Sequence, residues 1–274
     1  LQGVNVSKKY DVEIDEIDAC PVQIQGPLSE DLMAKLAGEE LREVPYYGIL
    51  ETKVGGADCV ISQTGFTGEK GYEIYVRDAH ENAEKMWNAV LEAGEEFGLM
   101  VIAPAHHRRI AAGILSWGQD LDHETSPFQV NLSYQVPRNK AADYIGKEEL
   151  EKQRAIMDEG KAPFKMKMVG LTLGGKEITD YAPDFWIVTN TDEDEVGYVT
   201  SPWWSPELET NIALAWVPWE SSEVGTKYMV KLPDEYSESP GVAVNAEIVD
   251  VPFRESVNPN KREVQAAKGL DFAD

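Results

Sequence analysis

Between residues 166 and 251 the chain is written as short apolar runs with turn residues between them, and this regularity restricts the fold more than any other feature. Residues 169–173, 195–200, 211–217, 227–232 and 244–251 each have the length and residue types of a strand. Strands that follow one another at even spacing, with no helical period between them, close most simply into a small barrel. A C-terminal β-barrel over residues 165–254 is the expectation.

Upstream, both periods occur. Residues 20–25 read as a strand, and Gln25-Gly26-Pro27 turns it into a helix with Leu32, Met33 and Leu36 on one face, Ser29 as N-cap and Gly38 as its stop. Residues 47–54 and 57–63 alternate about Gly55-Gly56, and a third strand, 71–76, follows the turn Gly65-Phe66-Thr67-Gly68. Asp78 and Glu81 have capping-box spacing, and Ala83, Met86, Trp87, Val90 and Leu91 recur three and four apart, which predicts an amphipathic helix over an antiparallel sheet. Pro104 suits the first turn of a further helix running to Leu115, and residues 118–127 are polar and loop-like, placed to border a cleft. The class is therefore α+β, with residues 1–155 as a first region, a boundary in the charged stretch 151–167, the barrel at 165–254, and a loosely ordered polar tail at 255–274. Because the chain opens on Leu1 with strand-like sequence close behind, it reads as a cleaved product or a fragment.

Charge and composition exclude several classes of function. Forty-nine acidic residues face 25 basic ones, a net charge of -24 spread along the chain, which repels phosphates and argues against nucleic acid as a partner. Such a carboxylate coat suits a salt-adapted cytoplasm, where repulsion is screened. No run approaches the roughly 18 apolar residues of a membrane helix, and the first residues lack an apolar signal core, so no membrane and a cytoplasmic location are expected. Cys20 and Cys59 sit in apolar runs without metal-ligand spacing and read as buried free thiols. His106 and His107 diverge by about 100° on a helix and cannot chelate one ion, while His80 and His123 stand apart, so no metal site is expected.

Seven segments in order resemble the glycine cleavage T-protein family. They are Gln25-Gly26-Pro27; Thr64-Gly65-Phe66-Thr67-Gly68-Glu69 leading into Gly71-Tyr72-Glu73-Ile74-Tyr75-Val76; Gly118-Gln119-Asp120-Leu121-Asp122; Tyr144-Ile145-Gly146-Lys147-Glu148-Glu149-Leu150; Thr200-Ser201 with Ser205-Pro206; Asn211-Ile212-Ala213-Leu214-Ala215; and Val251-Pro252-Phe253. The resemblance covers about residues 15–254. It implies an antiparallel ferredoxin-like, T-protein folate-binding layer before the barrel, a three-domain ring around a folate cavity, and tetrahydrofolate as cofactor. It further implies a front section, absent here, that supplies one cavity wall and the aspartate near the reacting carbon, so no catalytic residue is assigned.

Along 71–76 side chains alternate, placing Tyr72, Ile74 and Val76 on one face and Glu73 and Tyr75 on the other. The resemblance gives Glu73 the pterin edge of folate, where two carboxylate oxygens match a ring N–H beside an exocyclic amine. Taken alone, Glu73 is a solvated glutamate on an edge strand. Tyr75 is implied to line the methyl-donor pocket, its ring face attracting a sulfonium or ammonium cation; a packing tyrosine fits it equally. Arg109 matches a family arginine beside the cavity, set either for a substrate carboxylate or folate glutamate tail, or for a local acid. Trp117 and Asp120 shape a loop over the cleft, with Trp117 a substrate-pocket candidate, and the pair Trp203-Trp204 reads as core or interface.

Ala105 stands where T-proteins carry a folate-tail arginine, and residues 254–259 lack the tyrosine that tends to follow the closing Pro-Phe. The run from Arg109 to Asp120 with Ser126-Pro127-Phe128 is instead similar to folate-dependent demethylases of the dimethylsulfoniopropionate type, whereas 64–69 is nearer the T-protein. The leading expectation is methyl transfer from a small sulfonium, ammonium or methoxy donor to N5 of tetrahydrofolate. The alternative is aminomethyl transfer from lipoyl H-protein. A folate-binding iron-sulfur assembly protein would carry a Lys-Gly-Cys-Tyr motif, and residues 143–150 contain no cysteine.

Overall fold

The structure is a computed structural model describing residues 10–254, so Leu1 and the expected tail at 255–274 lie outside the described residues. The chain forms two compact units: residues up to Gly65 with Glu69–Val101, and Phe66–Gly68 with the residues from Ile102 onward.

The first unit contains β1 (Ala19–Gln25), α1 (Ser29–Ala37), β2 (Ile49–Val54), β3 (Ala57–Ser62), β4 (Gly71–Arg77) and α2 (Ala79–Gly94). Its sheet is antiparallel in the order β1-β4-β3-β2. Ile24, Cys59, Ile61, Tyr72, Ile74 and Val76 form a core with Leu32 and Met33 of α1 and Met86, Val90 and Ala93 of α2. Tyr72, Ile74 and Val76 are fully buried while Glu73 and Tyr75 are partly open, as alternation requires. β4 is an inner strand, not an edge, so Glu73 lies between two neighbouring strands.

Local signals in this unit resolve differently from their sequence reading. Leu28 caps α1, and Ser29 is instead its first helical residue, its hydroxyl donating to the Lys70 carbonyl at 3.1 Å. Gly38 does end α1. Asp78 caps α2 from a left-handed conformation with no side-chain cap bond, because a capping hydroxyl or carboxylate needs an extended N-cap backbone. Asp18 takes that role, accepting the His80 N–H at 3.0 Å. Trp87, expected on the buried face of α2, is turned outward. Cys59 is buried, but Cys20 is exposed, since it lies at the outer end of edge strand β1.

The second unit contains α3 (His106–Ala111), α4 (Lys147–Asp158) and six strands: β5 (Met166–Leu173), β6 (Trp186–Thr189), β7 (Glu195–Ser205), β8 (Thr210–Pro218), β9 (Lys227–Val230) and β10 (Val244–Val249). They close as the expected barrel, ordered β10-β5-β8-β7-β6-β9. The four residues of β6 give too short a run to have been read from sequence. Val169, Leu171 and Leu173 with Ala213, Ala215 and Val217 fill the interior. The alternate residues Met168, Ile212, Leu214 and Trp216 join Ile110, Ala111 and Val130 in a second core outside the wall. The β5–β8 wall is thus buried on both faces, which explains the unbroken apolar run along β8.

Helix α3 stops well before Leu115. Gly113, at φ +66, donates to Ile110 O (2.9 Å) while Ile114 donates to Arg109 O (2.8 Å), the paired bonds of a Schellman end. A Cβ at Gly113 would meet Val251 Cγ1 at 2.6 Å, so both conformation and space demand glycine. Among the described residues no helix is long and apolar enough to cross a membrane.

Candidate functional site

In the first unit, the register sets Gln23 and Ser62 on either side of Glu73, making a polar row across β1, β4 and β3 on the sheet face away from the core. The Thr64 hydroxyl donates to Glu73 Oε2, and Ser62 Oγ lies 2.9 Å from Thr64 Oγ1, so the proton of Ser62 is the one available to that contact. Thr64 thereby orients the carboxylate and leaves further acceptor capacity on it. Tyr75 stands two residues along the same face. Burial pushes its phenol above 10, and the neighbouring charge of Glu73 adds to the shift, so the phenol stays neutral beside the carboxylate. The two residues singled out in sequence are brought together, and Thr64 and Ser62 are partners that sequence reasoning missed, although Thr64 opens a motif it did mark.

The second unit holds Arg109 and Trp117. Arg109 is 1% exposed and lies at the centre of a polar knot. Its Nη1 donates to Asp120 Oδ2 at 2.6 Å and to Ile114 O at 3.1 Å; its Nη2 donates to Ser201 Oγ at 2.8 Å and to Gln119 Oε1 at 3.3 Å; its Nε donates to His106 Nδ1 at 3.4 Å. Asp120, equally buried, accepts from Ser116 N on the same oxygen, and from the Thr200 and Ser201 hydroxyls, each at 2.6 Å, on the other. Neighbours on a regular strand point to opposite faces. Thr200 and Ser201 reach one oxygen together because the register slips between Val199 and Ser201, leaving Thr200 as an extra, bulged residue. The Trp216 indole closes the knot by donating to Asp120 O at 3.0 Å.

This arrangement ties α3, the 116–121 loop and β7 into one body. Arg109 is engaged with a local acid, the second of the two arrangements open from sequence. Trp117, on the same loop, is 67% exposed. His106 stacks on Trp203 at 5.6 Å and meets Tyr181 edge-on at 4.6 Å, and burial, with Arg109 next, holds its pKa below 6.5. His106 and Tyr181 carried no sequence signal; only the fold assembles them. Among the described residues no group of three His, Cys, Asp or Glu is placed to hold a metal ion.

Comparisons with known proteins bear on this architecture. Residues 2–140 match the model of the GCVT N-terminal domain and residues 167–254 that of the glycine cleavage T-protein C-terminal barrel domain. The aminomethyltransferase of Geobacillus sp. (strain WCH70) is 32% identical over 248 residues, 89% of this chain and 63% of that protein. Dimethylsulfoniopropionate demethylase DmdA of Ruegeria pomeroyi is 32% identical over 232 residues, 85% of this chain and 60% of that protein. The crystal structure of aminomethyltransferase T from Bartonella henselae shares the fold with a TM-score of 0.67 at 21% identity, covering 89% of this chain and 62% of that one. The chain thus spans about three fifths of the length of these relatives. With both family models matched in order, the first alone covering half of the sequence, the chain belongs to the glycine cleavage T-protein family.

Proposed function

We propose that this chain is the larger part of a tetrahydrofolate-dependent one-carbon transferase that takes a methyl group from a small sulfonium, ammonium or methoxy donor. The observation that carries the reading is the pairing of Glu73 and Tyr75 on the open face of inner strand β4, with Thr64 holding the carboxylate. The donor set suits a pterin: Glu73 offers a planar pair of acceptors to an N–H and amine edge, fixed by a neighbour rather than free to rotate. Tetrahydrofolate would supply N5, the nucleophile that receives the carbon. The chain's own part is orientation, with Glu73 setting the pterin edge and the Tyr75 ring facing the donor cation. Arg109 acts as a positioning residue through Asp120, holding the loop that carries Trp117.

Aminomethyl transfer is the second reading, favoured by the name of the Geobacillus relative. Ala105 weighs against it. In this chain that position caps α3 with a methyl side chain, which cannot hold a folate carboxylate. The test is calorimetric titration with tetrahydrofolate, then a screen of methylated donors and of aminomethylated H-protein for folate product, using the chain joined to its natural front section. Ammonia release from H-protein without turnover of any methylated donor sinks the first reading and upholds the second. No binding of tetrahydrofolate sinks both.

A further inference from the structure

The antiparallel sheet of the first unit ends on β1 at one side and on β2 at the other. An edge strand presents a row of unpaired N–H and C=O groups, which proteins commonly blunt with proline, a bulge or an unmatched charge. β1 carries Pro21, which has no N–H to offer. β2 has no proline and pairs with β3 in unbroken register, and among the described residues no other strand lies beside it.

The register fixes which backbone groups of β2 look outward. Gly55 and Gly56, at φ +58 and +83, close the β2–β3 hairpin as a two-residue turn, which makes Val54 and Ala57 a hydrogen-bonded pair. Leu50, Thr52 and Val54 therefore bond to β3, while Ile49, Glu51 and Lys53 direct their N–H and C=O groups away from the sheet. The side chains of these three are exposed, and among the described residues no backbone hydrogen bond reaches their outward groups.

Charge selects the partner. In a chain of net charge -24, β2 contributes one acid and one base, two residues apart. A second β2 laid antiparallel about a twofold axis through Thr52 sets Glu51 against Lys53 of the second copy, and Lys53 against Glu51 of the second copy. Each of these two pairs has its backbone groups turned to the other strand, so each exchanges two backbone bonds. On the opposite face Leu50 meets Val54 of the second copy, continuing the apolar core beneath the sheet. Glu51 and Lys53 already have partners in their own chain, Arg77 Nη2 at 3.1 Å and Asp58 Oδ1 at 2.5 Å. These do not compete, because a carboxylate has two oxygens and an ammonium three protons. The joined edges then read with alternating sign: Arg77, Glu51, then Lys53 and Asp58 of the second copy. Moving the axis to Glu51 would oppose two carboxylates, so charge specifies the register.

We propose that β2 is a self-association edge, through which two copies of this chain join antiparallel about Thr52 into one continuous sheet. Two six-residue strands bury less than the about 1,200 Å² of a standard interface, so the dimer is transient, in the micromolar range or weaker.

The test is sedimentation of the whole chain from micromolar to millimolar concentration in about 0.5 M potassium chloride, where a Debye length of about 4 Å screens remote repulsion. A reversible monomer–dimer equilibrium is expected. Glu51→Lys should weaken it about tenfold or more, by setting two ammonium groups face to face at both contacts. Adding Lys53→Glu returns opposite signs to both contacts and should recover most of that loss. Both side chains are exposed, so these variants fold. Disulfide trapping in a Cys20→Ser chain reads the register. In this pairing the two Thr52 Cα atoms lie about 4.5 Å apart, within disulfide reach, and the two Glu51 Cα atoms about 8–9 Å apart, beyond it. Mild oxidation should link Thr52→Cys and not Glu51→Cys. A monomer at every concentration, a dimer indifferent to Glu51→Lys, or a Thr52→Cys chain that links no faster than Glu51→Cys overturns the proposal.

Discussion

Asp120→Asn tests the reading of the knot around Arg109 most directly. The carboxylate takes four donors: Arg109 Nη1 and Ser116 N on one oxygen, and the hydroxyls of Thr200 and Ser201 on the other. An asparagine can keep its carbonyl toward Arg109 and Ser116 only by presenting its NH₂ to the two hydroxyls. Those hydroxyls can turn, and Thr200 already lies 3.2 Å from Leu214 O, so part of the hydrogen bonding is recovered. What cannot be recovered is the charge. Arg109, 1% exposed, is left as a buried cation without a counter-charge, and breaking one side of such a pair costs about 3–5 kcal/mol. For a unit of this size that is on the order of a 10 °C fall in melting temperature.

Urea unfolding followed by tryptophan emission is the assay, with Trp216, whose indole donates to Asp120 O, among the seven tryptophans that contribute to the signal. Adding Arg109→Met to Asp120→Asn removes the stranded charge, so the double variant should be more stable than the sum of the single losses, a coupling of about 1 kcal/mol or more. A loss below about 1 kcal/mol for Asp120→Asn, or strict additivity in the cycle, would refute the view that Arg109 is held as one half of a buried pair.

Glu73→Gln should weaken tetrahydrofolate binding by about 1.5–3 kcal/mol, because one acceptor becomes a donor facing the pterin edge; calorimetry giving unchanged affinity removes Glu73 from the site. Stability should rise from low to molar potassium chloride, since 49 acidic residues repel one another across 25 basic ones and the Debye length falls from about 10 Å at 0.1 M to about 3 Å at 1 M; a flat or falling melting midpoint contradicts this. His106 and His107 titrate below 6.5 in the folded chain, so the unfolded chain binds more protons as the pH drops. Their contribution is complete above about pH 6.5 and is lost as the pH falls through the folded values; chemical unfolding of His106→Gln/His107→Gln should show a shallower acid loss than the parent, and equal slopes would exclude the histidines as its cause.

Much of the fold was legible because its signals are local. Alternation along 71–76, the glycine turns at 55–56 and 65–68, and the spacing of short strands after 166 each depend on neighbours within a few residues. The readings that failed are those in which a distant group took over a local role. Asp18 displaced Asp78 as the partner of the α2 N-terminus, Lys70 O drew the Ser29 hydroxyl away from capping, and Gly113 with Val251 cut α3 short. Cys20 was misread because a strand's position in the sheet, edge or centre, is not written in the strand.

The same distinction separates the candidate residues of the first unit from those of the second. Glu73 and Tyr75 share a face by period alone, so their proximity follows from six consecutive residues. Arg109 is different. Its partners in the fold are Asp120, eleven residues away, and Ser201, ninety-two residues away. Ser201 reaches it only because a bulge in β7 turns Thr200 and Ser201 to the same side. The adjacent pair Thr200-Ser201, two hydroxyls in the buried middle of β7, was the one available sign that this strand serves a buried charge. Two neighbouring polar residues on a buried strand point to opposite faces in regular alternation, so they can share one acceptor only where a bulge turns them to the same side. In this fold that acceptor is the carboxylate that also neutralises Arg109, and the bulge of one strand is what anchors the loop carrying Trp117.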